Sequence, residues 1–511
     1  MSTSWNDSRR DGPCLSRRAL IRGSVALGGV LLMTACGTGG AATTTPPPAS
    51  ATTAPAEVSS VPIATPTTAV APPSTPSAAA STKLASTTKT IFQVAAGGFF
   101  GPTWRKSGDE IFGRYNVAHP DMEAEITDGD VTKVVAMVAG GTPPDGFLTF
   151  NSTDVSGLAS KGALLPLSDY LNQNQVADIK EKLVPAAWQV SAWRGKLWSI
   201  TEENDGAQLI WNKQLFHDSG VQGPPLTPQD LVAAAGALTK HTPDGQLSQM
   251  GLYLFSGWVD DGPAEPWIAM FGGQTFDAAK NQFTITDPRN IEAFQVLQQI
   301  SNAQGGEAAR TAFIKQFKNG VVDGMATGKI AMIYWGEGIP GAINAASALT
   351  FSNLDYACLP HASGGFCGQL SAGNSFMVLK GAKHPDAMAN FAYWEVLNVN
   401  EPILISEFTP AGGANLPVLK SDLVSGSPNY VRLLKDVPYV KSWLDMSLSG
   451  SYFPSDYTPL ADWKNGQLNQ TLTSIYQGKV DVAAGLQQLQ DAVDVKWQDF
   501  LKQNPDWHMA S

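Results

Sequence analysis

Three short stretches carry the side chains with most capacity for chemistry. Glu202-Glu203-Asn204-Asp205 sets four polar groups in a row between two apolar, strand-like runs. Glu265-Pro266-Trp267 puts a carboxylate and an indole at the start of a helical run that ends at Phe271-Gly272-Gly273, with Trp258, Asp260 and Asp261 just before it. Tyr334-Trp335-Gly336-Glu337-Gly338 follows the apolar run Ile330 to Ile333. Rings beside carboxylates and amides suit a guest with an apolar face and a rim of hydroxyls. The rings cover the face, and the polar groups accept and donate along the rim. A missing hydroxyl leaves a buried group unpaired, which is where discrimination arises. Each stretch also has a plain structural reading. Loop carboxylates are mostly solvated, an acidic residue at a helix start is favoured by the helix dipole, and a Trp is often core.

Paired carboxylates raise a second chemistry, glycoside hydrolysis, which needs two of them about 5 to 9.5 Å apart. Glu202 and Glu265 form the pair to consider, but no hydrolase pattern accompanies them. There is no Gly-x-Ser-x-Gly elbow and no phosphate loop, so no enzyme is expected. The six His are His119, His217, His241, His361, His384 and His508, with no two close in sequence. No metal site and no cofactor are expected from that spacing. The net charge of −11 and the lack of a basic patch argue against nucleic acid. A low charged fraction with 14 Trp fits a neutral guest better than an ionic one.

The elements that position these groups read as alternating strand and helix. Thr90 to Ala96 alternates as a strand, and Thr103 opens a helix with Trp104, Ile111, Phe112 and Tyr115 on one face. Met122 to Ile126 is the next strand. Asp130 caps a helix to Val138, and Gly146 to Phe150 is a third strand after Pro143-Pro144-Asp145. Thr149, Asn151 and Ser152 end that strand, and Asp154 caps the helix after it. Strands and helices of this length in alternation predict an α/β fold with a parallel, doubly wound sheet.

The N-terminus reads as an address. Arg17-Arg18 precede a short apolar run, Val25 to Met33, and then Thr34-Ala35-Cys36. The run is shorter than the ~20 residues a spanning helix needs. It predicts a lipoprotein signal over 1–35, with twin-arginine character, and lipidation at Cys36. Residues 36–89 are a Thr/Pro/Ala/Ser tether whose composition predicts disorder. Removing the leader takes away five Arg and two Asp, leaving a more acidic exported part. The rest, roughly 420 residues, exceeds one ordinary core and predicts two lobes. Cys358 and Cys367 bracket a turn-rich loop. An oxidising compartment favours a disulfide between them over two free thiols.

Several segments, taken in order, carry a resemblance. They are Trp193-Arg194-Gly195-Lys196-Leu197-Trp198, Leu209 to Phe216 with Trp211-Asn212-Lys213, and Thr227-Pro228-Gln229-Asp230. Gly141-Thr142-Pro143-Pro144-Asp145 and Gly162 to Leu171 come before them. Asp323 to Ile333, Gly373 to Leu379, His384-Pro385-Asp386-Ala387 and Gly478-Lys479-Val480-Asp481 come after. Over about residues 90 to 505 this resembles the extracellular solute-binding proteins of ABC importers, in the branch that binds sugars and oligosaccharides. The resemblance implies a two-lobed periplasmic-binding-protein-like fold with discontinuous lobes and a hinge of crossing strands. Lobe 1 would be 90–203 plus 360–412, and lobe 2 would be 204–359 plus 413–505. It implies a monomer that closes around a saccharide and delivers it to ABC permease subunits, anchored by lipid to the outer face of the cytoplasmic membrane. The implied ligand-binding set is Asp205, Glu203, Glu265, Trp267, Trp335, Glu337, Asn151, Trp258, Asn374 and Trp463. Maltodextrin binders carry an aromatic where this chain has Thr149, so maltodextrin itself is not implied. A polyamine or peptide ligand is the alternative that acidic cleft residues would also suit.

Overall fold

The computed structural model describes residues 89–96, 102–149, 153–253, 264–346, 351–362, 369–398, 416–449, 458–505 and 507. The expected leader, Cys36 and the tether lie outside the described residues, apart from Lys89.

The strands in chain order are β1 (Thr90–Ala96), β2 (Met122–Asp128), β3 (Gly146–Thr149), β4 (Leu164–Leu165), β5 (Ala192–Trp193), β6 (Lys196–Leu197), β7 (Ser199–Thr201), β8 (Asn204–Asn212), β9 (Lys240–His241), β10 (Leu247–Tyr253), β11 (Phe276–Asp277), β12 (Gln282–Phe283), β13 (Ile330–Gly336), β14 (Leu354–Ala357), β15 (Gln369–Ala372) and β16 (Ser375–Leu379). They form two main sheets. The first runs β2-β1-β3-β16-β4, with β7 also on β16; the second runs β14-β8-β13-β10-β9, with β15 also on β8. In the first, β1 is parallel to β2 and β3, and β16 is antiparallel to β3, β4 and β7. In the second, β10 and β13 are parallel, and β8 runs antiparallel to β13, β14 and β15. Strands covered on both faces become near-continuous apolar runs. That accounts for β3 and β16, which are buried throughout, and for β13, buried up to Gly336.

Among the described strands the chain changes sheets twice. It leaves the first sheet after β7 and enters the second at β8, across Glu202 and Glu203. It returns between β15 and β16, across Gly373 and Asn374. β15 still belongs to the second sheet, paired with β8. A third segment joins them: Asn204 bridges Leu416, with Asn204 N donating to Leu416 O at 2.9 Å and Asn204 Nδ2 to Pro417 O at 2.9 Å. The result is the two-lobed binding-protein architecture with a hinge of crossing strands.

Local signals explain the elements. Asp130 accepts from Lys133 N at the start of the helix Val131–Ala139. Thr227 and Asp230 form a reciprocal capping box on the helix Pro228–Ala237. The Pro143-Pro144-Asp145 motif has a structural duty. Asp145 is buried, its Oδ2 accepts from Gln93 N at 3.0 Å and its Oδ1 from His384 N at 2.7 Å. One carboxylate thereby ties β1, the start of β3 and the helix Pro385–Asn398 together. Gly146 follows because a Cβ there would stand 2.2 Å from Met388 Sδ.

The C-terminal helix Val482–Gln503 closes against the hairpin β11–β12 through Trp497, which meets Phe276 and Phe283 edge-on. Trp507, beyond that helix, sits edge-on to Trp497 at 4.7 Å. Arg194, at the tip of the hairpin β5–β6 with a positive φ of 52°, lies 5.4 Å from the Trp193 ring and 5.6 Å from the Trp507 ring.

Candidate functional site

Strand direction locates the site. In the first sheet β1, β2, β3 and β7 run the same way, and Ser375 at the start of β16 pairs with both Thr149 and Thr201. The carboxyl ends of the parallel strands therefore lie at the edge where the chain crosses over. In the second sheet Gly336, at the carboxyl end of β13, pairs with Ala207 near the start of β8, and Asp205 pairs with Ser371. Both sheets thus turn the carboxyl ends of their parallel strands toward the crossover, which is where open α/β sheets place ligands.

Five of the expected residues meet there. Glu203 and Asn374 stand on the two crossing strands, joined by Gly373 N donating to Glu203 O at 3.1 Å and Glu202 N donating to Asn374 O at 2.9 Å. Asp205 is the second residue of β8; its side chain lies outside the described set. Trp335 and Glu337 come from the end of β13. Glu337 Oε2 accepts from Gly206 N at 3.1 Å, and Tyr439 Oη donates to Glu337 O at 2.8 Å. Trp443 Nε1 donates to Gly206 O at 2.7 Å. Glu337 is thus fixed against the crossing strand. Burial, and then the Glu337 charge, hold the Tyr439 phenol well above its ordinary range, so it stays a donor.

Trp335 is 8% exposed and stacks on Tyr253, centroids 6.4 Å apart at 21°. Tyr253 ends β10 beside it, and burial raises its phenol. Trp335 Nε1 and Asn374 Oδ1 are buried without a protein hydrogen-bond partner. Asn374 Nδ2 donates to Glu202 Oε1 at 2.8 Å.

Other expected residues fall elsewhere. Trp267 is completely buried and packs on Tyr334, ring centroids 6.3 Å apart. Tyr334 and Trp335 are adjacent on a strand, so they point to opposite faces. Trp267 therefore lies in the core behind β13, with no ring face open in this conformation. Trp463 is partly exposed and Lys496 Nζ lies 4.9 Å over its ring. It belongs to the helix Ala461–Tyr476, which packs on both Thr153–Ser160 and Ala264–Met270. Asn151, Trp258 and Cys367 lie outside the described residues, as does the side chain of Glu265. Glu202, the acid–base candidate, is completely buried, and its Oε1 accepts from Asn374 Nδ2 at 2.8 Å. Among the described residues no cluster of His, Cys, Asp and Glu could hold a metal ion.

Sequence reasoning passed over Tyr253, Tyr439 and Trp443. Tyr253 had a usable signal, an aromatic at the end of an apolar strand. Tyr439 and Trp443 had none, since they come from a distant segment without a periodic pattern.

The architecture and the crossover define a binding protein of the two-lobed α/β class. A family model of the bacterial extracellular solute-binding proteins matches residues 101–395, and the chain belongs to that family. Membership places its working site outside the cytoplasm. Among solved structures the chain is similar to CpMnBP1 with mannotriose bound, at TM-score 0.63 and 23% identity, covering 79% of this chain and 99% of that one. It is similar to the cyclic alpha-maltosyl-1,6-maltose binding protein from Arthrobacter globiformis, at TM-score 0.65 and 18% identity, covering 80% and 100%. The sugar-binding protein MalE from Xanthomonas citri matches at TM-score 0.64 and 16% identity, covering 81% and 98%. At these identities the likeness is one of fold. No curated protein matches the chain.

Proposed function

We propose that this protein is the membrane-tethered substrate-binding component of an ABC importer, and that it binds a carbohydrate between its lobes without transforming it. The observation that carries this reading is the convergence of Trp335, Glu337, Glu203 and Asn374 where both sheets end at the crossover. Trp335 and Tyr253 offer aromatic surface, and the carboxylates and amide offer a hydroxyl-bonding rim. Asp205, Glu265, Asn151, Trp258, Trp463 and Trp267 complete the proposed set. Trp267 acts from behind β13, as the support of the strand that carries Trp335. The lobes divide at Glu202–Glu203 and at Gly373–Asn374. Burial of Glu202 argues against its use as a hydrolytic acid or base. The similar structures, one with mannotriose bound and one a cyclic alpha-maltosyl-1,6-maltose binding protein, support the same ligand class.

In this reading the leader is removed before Cys36, lipid on that residue holds the protein at the outer face of the membrane, and the closed form docks on a permease. Ligand contacts to both lobes favour the closed form by differential affinity. Cys358 is disulfide-bonded, which supports its pairing with Cys367.

A thermal-shift series with mannotriose, maltotriose, spermidine and a tripeptide tests the ligand class. A ligand at 100 times its Kd stabilises the native state by about 2.7 kcal/mol. A rise with a saccharide alone supports the reading. A rise with spermidine or peptide alone, or turnover of a saccharide, overturns it.

A further inference from the structure

β2 ends the first sheet, with β1 its sole strand neighbour among the described residues. Register sets which of its backbone groups look outward. Thr90 lies opposite Met122 in the parallel pair, and Thr90 N donates to Asp121 O at 2.9 Å. Along a strand, residues whose backbone groups meet one neighbour alternate with residues whose groups face the other side. Asp121, Glu123, Glu125 and Thr127 therefore turn their backbone groups to β1, and Met122, Ala124 and Ile126 turn theirs outward. Every residue of β2 except Ala124 is half-buried or exposed. Such an edge is a template for another strand.

Two of the outward positions are engaged from within the chain. Met122 N donates to His119 O at 2.9 Å, in the turn that enters the strand. Ala124 is held by a single side chain. Its N donates to Asn116 Oδ1 at 2.8 Å, and Asn116 Nδ2 donates to its O at 3.3 Å. A carboxamide offers one acceptor and a donor side by side, as a peptide unit does. Asn116 thus stands where a residue of a further strand would stand. It comes from the last turn of the helix Pro102–Ala118 and is itself half-buried. Helix propensity does not favour Asn there; the two bonds to Ala124 give it a reason.

A second copy of this chain carries the matching edge. Antiparallel pairing of two β2 strands about Ala124 sets Ala124 opposite Ala124, where the two residues exchange both N–H···O bonds across a two-fold axis. The same register sets Met122 opposite Ile126 and Glu123 opposite Glu125. Glu123 has Lys89 Nζ at 3.8 Å, and Glu125 accepts from Gln93 Nε2 at 3.2 Å. Facing carboxylates of two copies repel, an obstacle that salt screens.

We propose that Asn116 is an autoinhibitory contact on the edge of the first sheet: its amide occupies the pairing groups of Ala124 and so prevents β2 from adding to β2 of a second copy of this chain. The inference stands apart from the carbohydrate reading. For a chain tethered to a membrane, as proposed above, copies meet at high local concentration, and the closed edge keeps each one single.

The test needs no ligand. Size-exclusion chromatography with light scattering is run over a concentration series on the purified wild type, Asn116→Ala and Asn116→Asp, in low salt and in ~1 M salt. At ~1 M the Debye length is about 3 Å, so the glutamates no longer mask pairing. The proposal expects Asn116→Ala to dimerise at least about tenfold more tightly than the wild type, the effect of two backbone bonds per pair, and more tightly in high salt than in low. Hydrogen-exchange protection over 122–128 should rise with its concentration. Asn116→Asp keeps an acceptor for Ala124 N–H and adds a charge, so it should associate no more than the wild type. An Asn116→Ala protein that associates no more than the wild type in ~1 M salt overturns the proposal. So does association without added protection over 122–128, or equal association by Asn116→Asp, since either makes the effect one of general destabilisation. Should Asn116→Ala fail to fold by near-ultraviolet circular dichroism, Asn116→Gln, whose amide sits one methylene farther out, takes its place with the same expected result.

Discussion

Gly146→Ala tests whether β3 is held in place by the close approach of Met388. A Cβ on residue 146 would lie 2.2 Å from Met388 Sδ, 2.7 Å from its Cε and 2.8 Å from its Cγ. Favourable separations are about 3.5–4.0 Å, so three atoms must retreat by roughly 1 Å. Cγ cannot retreat by a terminal rotation, and Met388 is fully buried. The strain falls on the helix Pro385–Asn398, which also carries Glu395. Overpacking of this kind costs about 1–3 kcal/mol, and the involvement of Cγ places it toward the upper end. Met388→Ala alone removes core volume and costs about 2–5 kcal/mol. In the double variant the new Cβ enters space that Met388 has vacated, so the combined loss falls short of the sum by at least about 1 kcal/mol. Guanidinium unfolding of the four proteins gives that coupling directly. Additivity within about 0.5 kcal/mol, the behaviour of independent sites, would refute the packing argument.

Asp145→Ala takes the shared acceptor from two partly buried backbone N–H groups, those of Gln93 and His384, and is expected to cost about 1–3 kcal/mol; denaturant unfolding reads it, and a loss under 1 kcal/mol refutes the staple. Trp267→Ala is expected to cost about 3–5 kcal/mol of stability as a core truncation, whereas Trp335→Ala should chiefly weaken ligand binding by calorimetry. The reverse ordering would exchange the roles assigned to the two indoles. Trp507→Ala should lower stability by about 3–5 kcal/mol, while Arg194→Ala, whose guanidinium is exposed, should cost only about 0.5–1 kcal/mol. Equal losses would contradict the view that the rings carry that contact.

Much of the first lobe was readable before any coordinates. Thr90–Ala96 appears with the limits its alternation suggested, and Asp130 and Thr227 cap the helices they precede. Those signals are local, a side chain speaking for the backbone two or three residues on. The return to the first sheet leaves little trace in the sequence, because β15 and β16 are short and only Gly373-Asn374 separates them, with no change in composition. Trp267 and Trp335 carried equal promise as indoles; the difference is which face of β13 each meets, and that depends on pairing between distant segments. Glu202 read as one of four polar residues in a loop. Its burial depends on distant segments, among them the return strand whose Asn374 Nδ2 it accepts from, and no local pattern announces that.

β16 occupies the middle of the first sheet although the whole of the second sheet precedes it in the chain. A ribosome emitting this polypeptide releases β1, β2 and β3 long before their last neighbour exists, so the flank of β3 waits with unmet amides and carbonyls. Completion of that half must await synthesis of the other, which makes maturation late, slow and dependent on protection of an unfinished edge.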